Sequence, residues 1–184
     1  WNALKLLNKD GEFLDAIEGA KILDIAERGD LSFADIDSLG KVTKNQGYFD
    51  LHIMEVLNLP LVNVPNIKKA KFKVVVDGVN STGGIIIPLL LDRLGVDVVK
   101  LYCEPNGEFP HNPEPLKEHL TDLSKKVVET RSGLGIVVDP DVDRLAFMDE
   151  NGEMFGEEYT LVACADYVLS TTPGNTVSNM SSTR

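Results

Sequence analysis

Apolar positions along the chain change their spacing near residue 66, and this change predicts two parts. In residues 1–65, a polar turn at 8–11 separates two short apolar stretches, as in a hairpin. Two stretches of helical spacing follow, over 15–28 and 48–58, and Gly29 predicts the end of the first helix. Because these residues offer little core of their own, they are interpreted as the C-terminal part of an α/β domain.

From residue 66 onward, short β-branched stretches alternate with stretches of helical spacing. Residues 60–70, which contain two prolines, are interpreted as a linker. The predicted strands cover 71–77, 96–101, 134–138, 145–148 and 175–179. The predicted helices cover 83–94, 115–130 and 157–170. This alternation favours a three-layer α/β/α sandwich with a mostly parallel mixed sheet, in which strand 145–148 pairs antiparallel with strand 134–138. The predicted domains are 1–65 and 66–184.

Composition narrows the possible partners. Asp and Glu outnumber Lys and Arg by 29 to 18 in the 184 residues, so the formal net charge is −11. Such a surface disfavours nucleic acid, whose phosphates need clustered cations. The longest apolar run, residues 85–91, is too short to span a bilayer, and no secretory signal is evident. We expect a cytoplasmic protein with no membrane or nucleic-acid partner, in which Cys103 and Cys164 are reduced core thiols.

Both ends of the chain suggest a piece of something longer. The chain begins at Trp1 without an initiator Met, and it ends just after the predicted strand 175–179. The expectation is therefore a fragment that depends on further domains of a parent chain.

The segment Asp139-Pro140-Asp141-Val142-Asp143-Arg144 carries the strongest chemical signal. It follows the apolar strand 134–138, and ligands of open α/β sheets bind at the carboxyl ends of strands. Two carboxylates about 4 Å apart repel by roughly 4 kcal/mol at an effective dielectric constant near 20. A hard cation with oxygen ligands would remove this repulsion, whereas the simpler alternative is a solvated acidic turn.

Two known aspartate loops fit this segment poorly. Asp139, Asp141, Asp143 and Glu150 match four ligand positions of an EF-hand, but Arg144 replaces the required glycine and strands replace the flanking helices. A phosphatase of the haloacid-dehalogenase type would use Asp139 as its nucleophile. That chemistry also needs a downstream lysine, and no lysine follows Lys126.

Two further features have structural interpretations. The turn 77–84 is rich in glycine and hydroxyl groups and opens a helix, so it could bind an anion. A tight turn with a Ser or Thr helix cap is the favoured interpretation, because the P-loop lysine and the dinucleotide-binding spacing are absent. His52, His111 and His119 lack the spacing of metal ligands and are expected to be structural or solvent-facing.

The aspartate segment, its strand and the acidic turn 149–152 resemble the metal-binding region of the α-D-phosphohexomutases. The family pattern has Gly where this chain has Pro140, a position that supplies no ligand. The Pro- and Asn-rich loop 109–115 and the turn 77–84 are similar to other parts of the same domain. Residues 1–5, Trp-Asn-Ala-Leu-Lys, resemble the end of the family's active-site serine loop. The phosphoserine itself would then precede Trp1.

This resemblance implies reversible phosphoryl transfer between a phosphoserine and the 1- or 6-hydroxyl of a hexose phosphate, through a bisphosphate intermediate. Asp139, Asp141 and Asp143 would hold Mg²⁺, and Lys5 and Arg144 would place positive charge at the transferring group. A phosphoglucomutase/phosphomannomutase is the expected parent, phosphoglucosamine mutase is its nearest rival, and the fragment alone is expected to be inactive. A non-catalytic module that binds metal or phosphate remains the alternative from another class.

Overall fold

A computed structural model describes residues 5–45 and 47–178 of the chain, without the side chains of residues 157 and 158. Predictions that fall on residues 1–4 and on Asn179 lie outside this range. Contacts divide the chain into two compact units, with the boundary between residues 45 and 46. Residues 47–65 thus belong to the second unit by contact, whereas the sequence boundary was set after residue 65.

The first unit contains the predicted turn and the predicted helix. An antiparallel bridge joins Leu7 to Phe13 around the turn 8–11. Helix α1 covers Ala16–Arg28, and its start is fixed by a capping box in which the Asp15 carboxylate accepts the Glu18 amide hydrogen at 2.7 Å. Gly29 ends the helix in the left-handed conformation, as predicted. A short 3-10 helix, Ile36–Ser38, follows.

The second unit alternates helices and strands. Its helices are α2 (Tyr48–Leu57), α3 (Val64–Ala70), α4 (Gly83–Arg93), α5 (Thr121–Thr130) and α6 (Glu157–Thr171). Its strands are β1 (Lys73–Asp77), β2 (Asp97–Leu101), β3 (Leu134–Val138), β4 (Leu145–Met148) and β5 (Met154–Phe155). The sheet order is β2-β1-β3-β4-β5. Strands β2, β1 and β3 are parallel, and β4 and β5 add two antiparallel pairings.

Helices cover both faces of this sheet, because successive side chains of a strand point to opposite sides. Val75 of β1 faces α5, where it lies in a buried cluster with Leu123 and Val127. Val74 and Val76 face the other side and pack in a second cluster with Leu91 of α4. The predicted α/β/α sandwich with a mixed sheet is therefore confirmed.

Several local predictions were wrong. Residues 64–70 form α3 instead of a linker, because the Asn63 side chain accepts the Asn66 amide hydrogen at 3.1 Å and Pro65 lies in the first turn, where its missing N–H is not needed. Residues 175–178 form no strand, and the two-residue strand β5 was missed. The helix predicted over 115–130 begins only at Thr121, after a 3-10 turn over Lys117–His119.

Exposure and hydropathy qualify two expectations drawn from composition. Both cysteines are free thiols, but Cys103 is only half-buried, where it packs against the second cluster, and Cys164 is exposed. Among the described helices, every one is too short or too polar to traverse a lipid bilayer.

Helix α4 starts in close contact with the chain that leaves β2. A Cβ atom on Gly84 would lie 2.6 Å from the Cα and 2.8 Å from the carbonyl carbon of Cys103. Since these are backbone atoms, a side chain at position 84 could be accommodated only by moving the helix away from the sheet.

We expect Gly84→Ala to lower the free energy of unfolding by about 1–3 kcal/mol, because overpacking outweighs the better helix propensity of alanine. Urea denaturation followed by circular dichroism measures this change. Gly174→Ala is the matched control, since a Cβ there meets nothing within 4 Å, and we expect a change within about 0.5 kcal/mol. Equal stability of Gly84→Ala and the wild type would contradict the close approach of α4.

Candidate functional site

The aspartate segment forms the tight loop between β3 and β4. The antiparallel register pairs Val138 with Leu145, and the next pair outward continues it, because the Asp139 N–H lies 3.4 Å from the Arg144 carbonyl oxygen. The Val142 N–H donates to the Asp139 carbonyl at 3.2 Å, so residues 139–142 make a β-turn with Pro140 at its second position. Strands on both sides of this loop exclude an EF-hand, as the sequence analysis concluded.

The loop brings the three predicted metal ligands together. One carboxylate oxygen from each of Asp139, Asp141 and Asp143 lies within 4.8 Å of the other two. Asp139 is only 5% exposed, whereas Asp141 and Asp143 face solvent. Burial raises the pKa of Asp139, the Arg144 amide hydrogen (3.1 Å from Oδ1) lowers it, and the two neighbouring carboxylates raise it further.

This set of donors fits a hard divalent cation. All three ligands are carboxylates, which suit Mg²⁺ in preference to softer metals. A cation would also relieve the crowding of charge that raises the pKa of Asp139. We therefore take this loop as a candidate site for a hard divalent cation.

Arg144 lies at the edge of the carboxylate group. Its Nη1 donates a hydrogen bond to Oε1 of Glu114, and its Nε lies 3.9 Å from one oxygen each of Asp139 and Asp143. Hydrogen bonding to Glu114 and the negative charges around it raise the pKa of Arg144. The guanidinium therefore remains a fixed positive charge beside the candidate metal site.

Lys5, the other predicted catalytic residue, lies in the first unit. It is exposed and precedes the Leu7–Phe13 bridge. The four residues before it in the sequence pattern, Trp1 to Leu4, lie outside the described range. Its assigned role remains a prediction.

The glycine-rich turn 77–84 anchors the aspartate loop. The hydroxyl groups of Ser81 and Thr82 both donate to the Pro140 carbonyl, each at 2.9 Å. The sequence analysis expected one of these hydroxyls to cap α4, which was wrong, since Thr82 makes no cap hydrogen bond. These two hydrogen bonds join residues that are 59 and 58 positions apart in the chain, so no local sequence pattern could reveal them.

The same turn also holds the loop that follows β2. The Asn80 side chain donates to the Glu108 carbonyl at 2.9 Å and accepts the Glu104 amide hydrogen at 3.3 Å. Asn80 and Val79 both have positive φ angles, 52° and 46°, which are uncommon for asparagine and unusual for a β-branched residue. The turn thus joins the loops that follow β2 and β3.

A buried carboxylate joins a third segment to this edge of the sheet. Asp77, the last residue of β1, is 1% exposed, and its Oδ2 lies 3.0 Å from Nε2 of His111. Desolvation raises the pKa of Asp77, while the Val79 amide hydrogen and His111 lower it. His111 is a structural partner of Asp77, and sequence reasoning missed the pair because its residues are 34 positions apart.

Comparison with known proteins gives a consistent result. Residues 50–152 match the family model described as phosphoglucomutase/phosphomannomutase, alpha/beta/alpha domain II. A probable phosphoglucosamine mutase of Methanosarcina barkeri is 33% identical over 175 residues, which cover 95% of this chain and 39% of that protein. A phosphoglucomutase/phosphomannomutase of Thermococcus kodakarensis is 34% identical over 170 residues, which cover 92% of this chain and 37% of that protein.

A solved structure has a similar fold. The crystal structure of a phosphoglucomutase/phosphomannomutase family protein from Burkholderia thailandensis matches with a TM-score of 0.66 and 25% identity. The match covers 89% of this chain and 33% of that protein. The chain spans less than two fifths of the length of each of the two curated relatives described above.

We expect Ser81 and Thr82 to stabilise the aspartate loop redundantly. Ser81→Ala or Thr82→Val alone leaves one donor on Pro140 and should lower the free energy of unfolding by no more than about 0.5 kcal/mol. The double variant leaves the carbonyl without either donor and should lose about 1–2 kcal/mol. Urea denaturation of the four proteins gives the coupling energy between the two positions.

Ser170→Ala/Thr171→Val is the matched control. These two hydroxyls also donate to one carbonyl, that of Tyr167, but at the exposed end of α6. We expect changes within about 0.5 kcal/mol and no coupling. Strictly additive losses at Ser81 and Thr82 would contradict their shared role.

Proposed function

The chain belongs to the phosphoglucomutase/phosphomannomutase family, and on that premise we propose that it is part of a Mg²⁺-dependent phosphohexomutase. The proposed reaction interconverts hexose 1-phosphate and hexose 6-phosphate through a phosphoserine and a bisphosphate intermediate. The observation that carries the proposal is the convergence of three carboxylates at the end of β3. They lie inside the segment that matches the family model, residues 50–152.

The described residues support distinct roles in such a reaction. Asp139, Asp141 and Asp143 would hold Mg²⁺, which when bound neutralises negative charge on the transferring phosphoryl group. Arg144 would add a permanent positive charge beside this site. Lys5 would supply a further ammonium group at the phosphate and would assist proton transfer.

Two groups of hexose phosphates are candidate substrates. We propose glucose and mannose phosphates as substrates, in keeping with the family model and with the T. kodakarensis relative. Glucosamine phosphate is the second candidate, because relatives from M. barkeri and Methanopyrus kandleri are named probable phosphoglucosamine mutases.

We further propose that residues 1–65 are the C-terminal part of the first domain of the mutase and that residues 66–184 are its second domain. We also propose that the protein is cytoplasmic. The family's sugar-binding segments would then lie elsewhere in the protein. On this proposal the 184 residues alone bind metal weakly and do not turn over hexose phosphate.

A coupled assay tests the reaction. The full gene product that carries these residues should convert glucose 1-phosphate to glucose 6-phosphate in the presence of Mg²⁺ and a catalytic amount of glucose 1,6-bisphosphate. The 184-residue chain should give no product above background. Parallel assays with mannose 1-phosphate and glucosamine 1-phosphate identify the sugar. Turnover by the 184-residue chain, or no mutase activity in the full product, would overturn the proposal.

Removal of one of the three carboxylates should weaken metal binding by the chain itself. We expect the wild-type chain to bind Mn²⁺, used as a probe for Mg²⁺, with a dissociation constant no tighter than roughly 10⁻⁴ M, a range typical of weak oxygen-ligand sites. Asp141→Asn should weaken it by at least tenfold, as followed by electron paramagnetic resonance of free Mn²⁺.

Asp166→Asn is the matched control, since it makes the same chemical change at an exposed position on α6. It should leave Mn²⁺ binding unchanged. Equal binding by Asp141→Asn and the wild type would remove the three-carboxylate site from the proposal.

A further inference from the structure

Arg144 has two competing sets of acidic partners. Asp139 and Asp143 lie 3.9 Å from its Nε, beyond hydrogen-bonding distance. Glu114, thirty residues earlier in the chain, accepts a hydrogen bond from its Nη1. An arginine has five donors and pairs readily with carboxylates in a bidentate manner. Without Glu114, the guanidinium would therefore close on the two aspartates.

Glu114 is held by a chain of contacts that ends in the sheet. Its amide hydrogen donates to the Asn112 side chain at 3.0 Å, and the Asn112 carbonyl oxygen lies 2.8 Å from Nδ1 of His111. His111 in turn contacts the buried carboxylate of Asp77 at the end of β1. We refer to residues 111–115 as the positioning arm.

Two prolines restrict the backbone of the positioning arm. Pro113 and Pro115 flank Glu114, and Pro115 is buried. A proline fixes its own φ angle, and it also biases the residue before it toward extended conformations. Glu114 therefore presents its carboxylate from a backbone with little freedom, while its side chain is exposed.

We propose that Glu114 is a positioning residue that holds the Arg144 Nε at 3.9 Å from the carboxylates of Asp139 and Asp143, in ion-pair range but too far for a hydrogen bond. The positive charge then stays at the site, while Nε of Arg144 does not compete with the cation for these oxygens. This inference rests on the proposed function for its consequence, metal binding, but the geometry of Arg144 can be tested without it.

The first test measures the freedom of Arg144 in the 184-residue chain. Nuclear magnetic resonance of ¹⁵N-labelled arginine follows rotation of the guanidinium about its Cζ–Nε bond, and Arg144→Met assigns the signal. We expect Glu114→Gln to change both the Nε–Hε shift and the rotation rate, the latter by at least about twofold, because the guanidinium exchanges its Glu114 partner for the two aspartates. Glu118→Gln is the matched control, because it removes the same charge four residues away at an exposed position.

The second test is a double-mutant cycle on Mn²⁺ affinity. Glu114→Gln should weaken Mn²⁺ binding by roughly two- to fivefold, because the released guanidinium competes for the carboxylates. The same substitution in an Arg144→Met background should have no effect, whereas a direct influence of the Glu114 charge on the cation would persist there. Glu118→Gln should leave the affinity unchanged in both backgrounds.

The outcomes separate this inference from the proposed function. Unchanged rotation of Arg144 in Glu114→Gln, or an equal loss of Mn²⁺ affinity with and without Arg144, would overturn the positioning role. If the wild-type chain binds no Mn²⁺ at all, the metal site of the proposed function fails, and the rotation measurement alone decides whether Glu114 restrains Arg144.

Discussion

Repulsion among three neighbouring carboxylates is the constraint on which this edge of the sheet depends. A loop that carries Asp139, Asp141 and Asp143 would splay into water unless other parts of the chain held it. The Pro140 carbonyl, with two hydroxyl donors from the glycine-rich turn, fixes the loop from one side. The antiparallel pairing of β3 with β4 fixes its two ends. The β-turn and its three neighbouring carboxylates are thus held in one arrangement, as pre-organised binding requires.

Three strand ends contribute to this arrangement in different ways. β1 ends in the buried Asp77, which anchors His111, and it is followed by the turn that contacts both neighbouring loops. β2 is followed by the loop that supplies Glu114, and β3 is followed by the three aspartates of the candidate site. The candidate site is therefore built at the carboxyl edge of the parallel part of the sheet, where open α/β folds place their ligands.

The parts that sequence alone could predict are those with local signals. The strand before Asp139 and the spacing of the aspartates singled out the three carboxylates that the structure brings together, and alternating patterns predicted the layers of the fold. Contacts such as Asp77 with His111 join residues far apart in the chain, so no local pattern could reveal them. Helix α3 was missed for a different reason. Pro60 and Pro65 in the segment 60–70 favoured a linker, whereas the side-chain cap of Asn63 stabilises a helix there.

The absence of a side chain at position 83 has a consequence for how this fold can vary. A Cβ on Gly83 would lie 2.3 Å from Cγ2 of Val138, so Val138 occupies the volume that a side chain would need, and it would be in ordinary van der Waals contact with Cγ2 of Val142 at 3.6 Å. Val142 itself has a φ of 62°, which is costly for a β-branched residue. Any homologue that acquires a side chain at position 83 must therefore lose volume at position 138. A homologue with glycine at position 142 relieves the backbone cost but opens a gap at the start of α4. Positions 83, 138 and 142 are therefore expected to vary together, and a record of their joint substitution across the family would trace how the aspartate loop and the neighbouring helix have changed together.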